Sequence, residues 1–96
     1  MKIFKYVLKL TDIQIVNMPT YAKCLSVEIQ NNALMLWALV DENLTPTPRK
    51  IAIYGTGNPI EPHPGDFIAT VQTNGGSLVW HVFDQGHIST SILDNK

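Results

Sequence analysis

Cysteine is almost missing from this chain: Cys24 is the one thiol in 96 residues. A lone cysteine cannot close an internal disulfide, so a disulfide-stapled secreted domain is excluded and a reducing cytoplasm is the compartment implied. Metal-ligand spacings are missing too. His63, His81 and His87 fall in three unrelated contexts, and no Cys-x-x-Cys or His-x-x-x-His element occurs, so neither a metal nor a cofactor is expected. Charge is sparse: 16 % of residues are Asp, Glu, Lys or Arg, against about 25 % in ordinary soluble domains. The net charge is −1 and the pI about 6.2, so no global field draws DNA or RNA, and nucleic acid is not an expected partner. Long apolar runs are lacking as well. None approaches the ~18 residues of a membrane-spanning helix. The opening MKIFKYVLKL puts lysines ahead of apolar residues, but Lys5 and Lys9 interrupt the run and no small-residue cleavage site follows, so it is not read as a signal peptide.

Hydrophobic residues, by contrast, make up 45 % of the chain. A small domain with few charges and this apolar fraction leaves apolar surface uncovered, and self-association is the usual remedy. A homo-oligomer is therefore expected. The length suits one domain with one core, since splitting it would leave units too small to bury enough surface.

The hydrophobic period is two rather than 3.6. Phe4, Tyr6, Leu8 and Leu10 alternate with Lys5, Val7 and Lys9, and Ile13 and Ile15 continue the pattern to Met18-Pro19. Leu25, Val27 and Ile29 alternate next, with Cys24 on the opposite face. Asn31-Asn32 is a two-residue turn into Ala33 to Val40, apolar on both faces and so either a central strand or an interface strand. Asp41 to Pro48 reads as a loop, Arg49 to Tyr54 as a strand, and Gly55-Thr56-Gly57-Asn58-Pro59 as its break. Phe67, Ala69, Val71 and Thr73 alternate again, against Ile68, Thr70 and Gln72. Asn74-Gly75-Gly76 is the strongest hairpin signal, and it returns as Ser77 to Phe83 before the polar Asp84-Gln85-Gly86. The fold predicted is all-β: a small sandwich or partly open barrel of six to seven short, mostly antiparallel strands over residues 1–86. Residues 87–96 are expected to form a loose polar tail, in which Ile88, Ile92 and Leu93 are the residues able to dock on a neighbour.

No nucleophile with a base, no carboxylate pair and no ligand cluster stands out, so no enzyme is predicted and no catalytic residue is named. Cys24 reads as a small hydrophobe. What remains are binding groups. Gly55-Thr56-Gly57 follows a strand, where backbone amides can meet an anion, although the third glycine and the lysine of a phosphate-binding loop are missing. The plainer reading is a strand-ending turn. Arg49 and Lys50 begin the same strand and supply positive charge, or else mark a solvated strand end. Tyr54 and Trp80 can stack on a flat ligand, with polar His81 and Thr73 near Trp80. Trp37 reads as core or interface.

Three strings carry a resemblance: Leu36 to Asp41, Tyr54 to Ile60 (YGTGNPI) and Gly75 to Phe83 (GGSLVWHVF), together with the opening Phe4-Lys5-Tyr6. They resemble a family of uncharacterised small phage and prophage proteins, over nearly the whole chain up to about Gly86. That resemblance implies an accessory protein of the bacterial host cytoplasm, of the kind that antagonises host defence. One mode is sequestration of a nucleotide-derived signal in a pocket near a subunit interface. There Arg49 and Lys50 would meet phosphate, the amides of Gly55, Thr56 and Gly57 the oxyanions, and Tyr54, Trp80 or His81 the base. The other mode is inhibition of a defence effector through a protein surface. A minor structural protein of the virion is a third reading.

Overall fold

The structure is a computed structural model that describes residues 1–88. Seven antiparallel strands form two sheets: β1 (Lys2–Leu8), β2 (Ile13–Pro19), β3 (Lys23–Gln30), β4 (Ala33–Val40), β5 (Pro46–Gly55), β6 (Asp66–Thr73) and β7 (Leu78–His87). One sheet has the order β1-β4-β3 and the other β2-β5-β7-β6. They pack face to face as a sandwich that does not close into a barrel. β3 lies along β6.

The period of two places the core. On β4, Leu34, Leu36, Ala38 and Val40 point inward, opposite Tyr6 and Phe4 of β1 and Val27 of β3. Ile51 and Ile53 of β5 and Val82 of β7 meet them from the other sheet. β4 is central, as its two apolar faces imply. The β3–β4 hairpin turns on Asn31 and Asn32 at φ 53° and 64°, the left-handed values that a tight two-residue hairpin needs. Asn74, Gly75 and Gly76 form a 3₁₀ turn between β6 and β7, all at positive φ.

Four expectations need correction. Ile13 and Ile15 do not continue the first strand inward. The chain turns at Lys9 to Asp12, where the Gln14 amide bonds the backbone N and O of Lys9 at 3.0 and 2.7 Å. It then enters the other sheet with the even-numbered residues still inward, so Val16 and Met18 face the core and both isoleucines face solvent. Leu25 is a bulge between Cys24 and Ser26, which turns Cys24 inward and leaves Leu25 exposed. A second bulge at Ile68 separates Phe67 from the inward Ala69 and Val71. Bulges kink edge strands, and both of these sit on edges. Finally, β5 starts at Pro46 rather than Arg49, and β7 runs through Asp84, Gln85 and Gly86 to His87, which pairs with Arg49. The body of the fold thus passes the expected boundary at Gly86; Ile92 and Leu93 lie outside the described residues.

Candidate functional site

Strict alternation divides the residues named from the sequence between two faces. Arg49, Ile51 and Ile53 share the inner face of β5, and Trp80, Val82 and Asp84 share the inner face of β7. Arg49 is therefore neither at a solvated strand end nor beside an open ligand site. It is 4 % exposed. Its NH1 donates to Asp84 Oδ2 at 2.7 Å, and its NH2 donates to the Ala22 carbonyl at 2.7 Å and to His87 Nε2 at 3.0 Å. The Tyr21 amide also donates to His87 Nε2, at 3.3 Å. Two donors on Nε2 place the imidazole proton on Nδ1, facing Thr47 Oγ1 at 2.7 Å. The Gly86 amide takes the other Asp84 oxygen at 2.8 Å. The guanidinium charge is thus neutralised inside the sandwich, and only its Nε has no partner.

Cys24 completes this cluster, its Sγ 3.8 Å from Arg49 NH1. Burial, then the neighbouring Asp84 charge, push its thiol up to about 12, against a smaller opposing pull from Arg49. A thiol held in the protonated form is a poor nucleophile. Among the described residues no group of His, Cys, Asp and Glu is placed to hold a metal ion.

Lys50, Tyr54 and His81 occupy the outer face of the four-stranded sheet. His81 sits between two hydroxyls, with Nε2 2.7 Å from Thr56 Oγ1 and Nδ1 2.9 Å from Thr70 Oγ1. Beside it, Tyr54 meets Phe83 edge-on at 5.8 Å between ring centres, and Phe83 meets Phe67 at 5.7 Å. The row is continued by Ala52 and Ile13 across β5 and β2. Phe67 is 59 % exposed, and Ile13 and Ile15 are exposed too. Gln85 braces the Tyr54 end: its amide donates to Glu61 Oε1 at 2.8 Å and to the Pro64 carbonyl at 2.9 Å, with Tyr54 Oη at 3.4 Å. Burial, then the Glu61 carboxylate, raise the Tyr54 hydroxyl above its ordinary value.

Gly55 to Gly57 cap the far end of β5, six residues and roughly 20 Å from Arg49 at ordinary strand rise. A side chain on Gly55 would stand 2.9 Å from the Asn58 amide and 3.3 Å from the Trp80 ring, so close packing explains this glycine. Gly57 has φ +89° and open space around it. Trp80 packs against the core and donates Nε1–H to Thr73 Oγ1 at 2.9 Å. Two shallow clefts flank the turn. One, of about 420 Å³, lies between Asp12, Tyr54 and Pro59; the other, of about 450 Å³, lies between Thr56, Ser77 and Trp80, and Asn58 borders both.

The structure therefore brings Tyr54, Thr56 and His81 together, sets Trp80 on the opposite side of the sheet, and removes Arg49 to the interior. Phe67, Phe83, Asp84 and Gln85 were missed from the sequence. Asp84 had a signal: it shares the parity of Trp80 and Val82, so one more step of alternation points its carboxylate inward, toward the face that also carries Arg49. Phe67 had none, because its outward turn depends on the bulge at Ile68.

No curated protein and no solved structure matches the chain. The family described as Domain of unknown function (DUF7352) matches residues 1–91. With nearly its whole length matched, the chain belongs to the DUF7352 family.

Proposed function

We propose that the chain is a non-enzymatic binding protein of the phage accessory kind, which inhibits a host defence protein by covering it with the outer face of the four-stranded sheet. The observation that carries this reading is the strip Phe67-Phe83-Tyr54, in which exposed Phe67 flanks the half-buried Phe83 and Tyr54, continued by exposed Ile13 and Ile15 on the same face. Aromatic residues dominate the energetics of protein interfaces, and a flat, preformed sheet loses little conformational entropy on docking. The carboxylates of Asp12 and Glu61 rim the Tyr54 end, so the complementary surface is apolar at its centre and basic at one edge.

Sequestration of a nucleotide-derived signal is the second reading, favoured by the fixed His81 ring beside Tyr54 and Thr56 and by the two clefts around Asn58. It is the weaker one, because Arg49 is held by Asp84 and the nearest charges at those clefts are acidic. The test is co-purification from the bacterial host with the wild-type chain and with Phe67→Asp, followed by reconstitution of any captured protein from pure components. Inhibition of a defence effector by the wild type, lost in Phe67→Asp with the fold intact by circular dichroism, is the expected result. Equal inhibition by both chains removes this face from the function.

A further inference from the structure

The outer face of the other sheet is apolar as well, and its charges form a different pattern. Three cross-strand rows cover it: Ile3-Leu39-Lys23, Lys5-Trp37-Ser26 and Val7-Met35-Glu28, running across β1, β4 and β3. Ile3 and Val7 are 60 % and 66 % exposed, and no element of the described residues covers them. Lys23 and Glu28 are exposed at opposite ends of β3, and neither has an ion-pair partner among the described residues.

We propose that this face is the contact between two copies of the chain, related by a twofold axis that lies in the interface and crosses the strands at right angles at Trp37. Such an axis keeps each strand over its own copy and exchanges the first row with the third. Ile3 then meets Val7, Leu39 meets the Lys5 stem that lies over the buried Met35, Trp37 meets Trp37, and Lys23 of each copy meets Glu28 of the other. The twofold repeats that ion pair, as an interface between identical surfaces requires. A twofold axis running along the strands instead sets Lys23 over Ile3 and Glu28 over Val7, and so leaves both charges without partners. Lys5 does not oppose the arrangement. Its Nζ reaches across Met35 to Gln30 Oε1 at 3.0 Å, so its apolar stem lies on the face while the two ammonium groups end over β3, at opposite ends of the strand.

Three strands seven residues long give a face of roughly 14 by 23 Å, small beside standard interfaces, so the dimer is reversible and concentration-dependent. This inference is independent of the function proposed above.

Sedimentation equilibrium over a hundredfold range of protein concentration tests it, with circular dichroism as the folding control. The wild type is expected to pass from monomer to dimer across the range. Glu28→Lys and Lys23→Glu each set like charges against each other and are expected to weaken dimerisation at least tenfold. In an equimolar mixture of the two variants, one copy carries only basic and the other only acidic side chains at these two positions. Both cross-copy ion pairs form again, and the mixture is expected to recover the dimer. The double variant Lys23→Glu with Glu28→Lys recovers it as well. A wild type that stays monomeric throughout, single variants that dimerise like the wild type, or a mixture that fails to recover the dimer each overturns the proposal.

Discussion

Removing the Asp84 carboxylate leaves the Arg49 guanidinium in the interior with no counter-charge. Breaking a buried ion pair on one side costs about 3–5 kcal/mol, whereas replacing both partners with apolar residues of similar volume is close to neutral. Urea unfolding of Asp84→Asn is therefore expected to show a large loss, and Arg49→Met combined with Asp84→Leu a much smaller one. Similar losses in the two would mean that the pair is not the source of the effect. Cys24 gives a second test at this scale. Its native pKa is raised from 9.0 to about 12, so the unfolded thiol ionises first as the solution becomes alkaline. Its contribution to stability is complete below pH 9 and is lost as the pH rises toward 12. Cys24→Ala should flatten that part of the stability profile relative to the wild type. At pH 8 the native thiol should react with a disulfide reagent at least tenfold more slowly than in the urea-unfolded chain.

At the scale of elements, most strands were legible because one face of each is buried and the period of two survives in the sequence. β4 stood out by its unbroken apolar run, and both asparagine turns by residues that tolerate positive φ. The rest depended on tertiary events that leave no pattern. A bulge at Leu25 or Ile68 inserts one residue and reverses the facing of what precedes it. The corner at Lys9 to Asp12 moves the chain from one sheet to the other, which no run of alternating residues announces. The candidate binding residues are divided by plain alternation instead. Arg49 and Lys50, adjacent in sequence, face opposite sides of β5, and so do Trp80 and His81 on β7. Glycine substitutions probe the loop that joins β5 to β6. Gly65 has φ +102°, and a side chain there would collide with the Asp84 carbonyl oxygen, a backbone atom that cannot yield. Gly55→Ala presses on a side-chain amide and a ring edge instead, an overpacking expected to cost about 1–3 kcal/mol. Chemical denaturation should rank Gly65→Ala well below Gly55→Ala; the reverse order would show that the loop relaxes more easily than β5.

For the whole molecule, charge and apolar surface are divided between the inside and the outside. The strongest cation is neutralised between the sheets, while exposed isoleucine, valine and phenylalanine side chains occupy both outer faces. Two faces of different charge pattern allow two different partners: a second copy on the three-stranded sheet and an unlike protein on the four-stranded one. The central claim is that the chain acts through these surfaces rather than by enclosing a small anionic ligand. Its most direct test is a thermal-shift screen of the purified wild type against cyclic dinucleotides, cyclic trinucleotides and ADP-ribose isomers. No shift is predicted for any of them. A ligand at about a hundred times its dissociation constant would add about 2.7 kcal/mol and move the melting temperature of a domain this size by several degrees. Such a shift, abolished by Tyr54→Ala with His81→Ala, would contradict the account and establish the clefts around Asn58 as the working site.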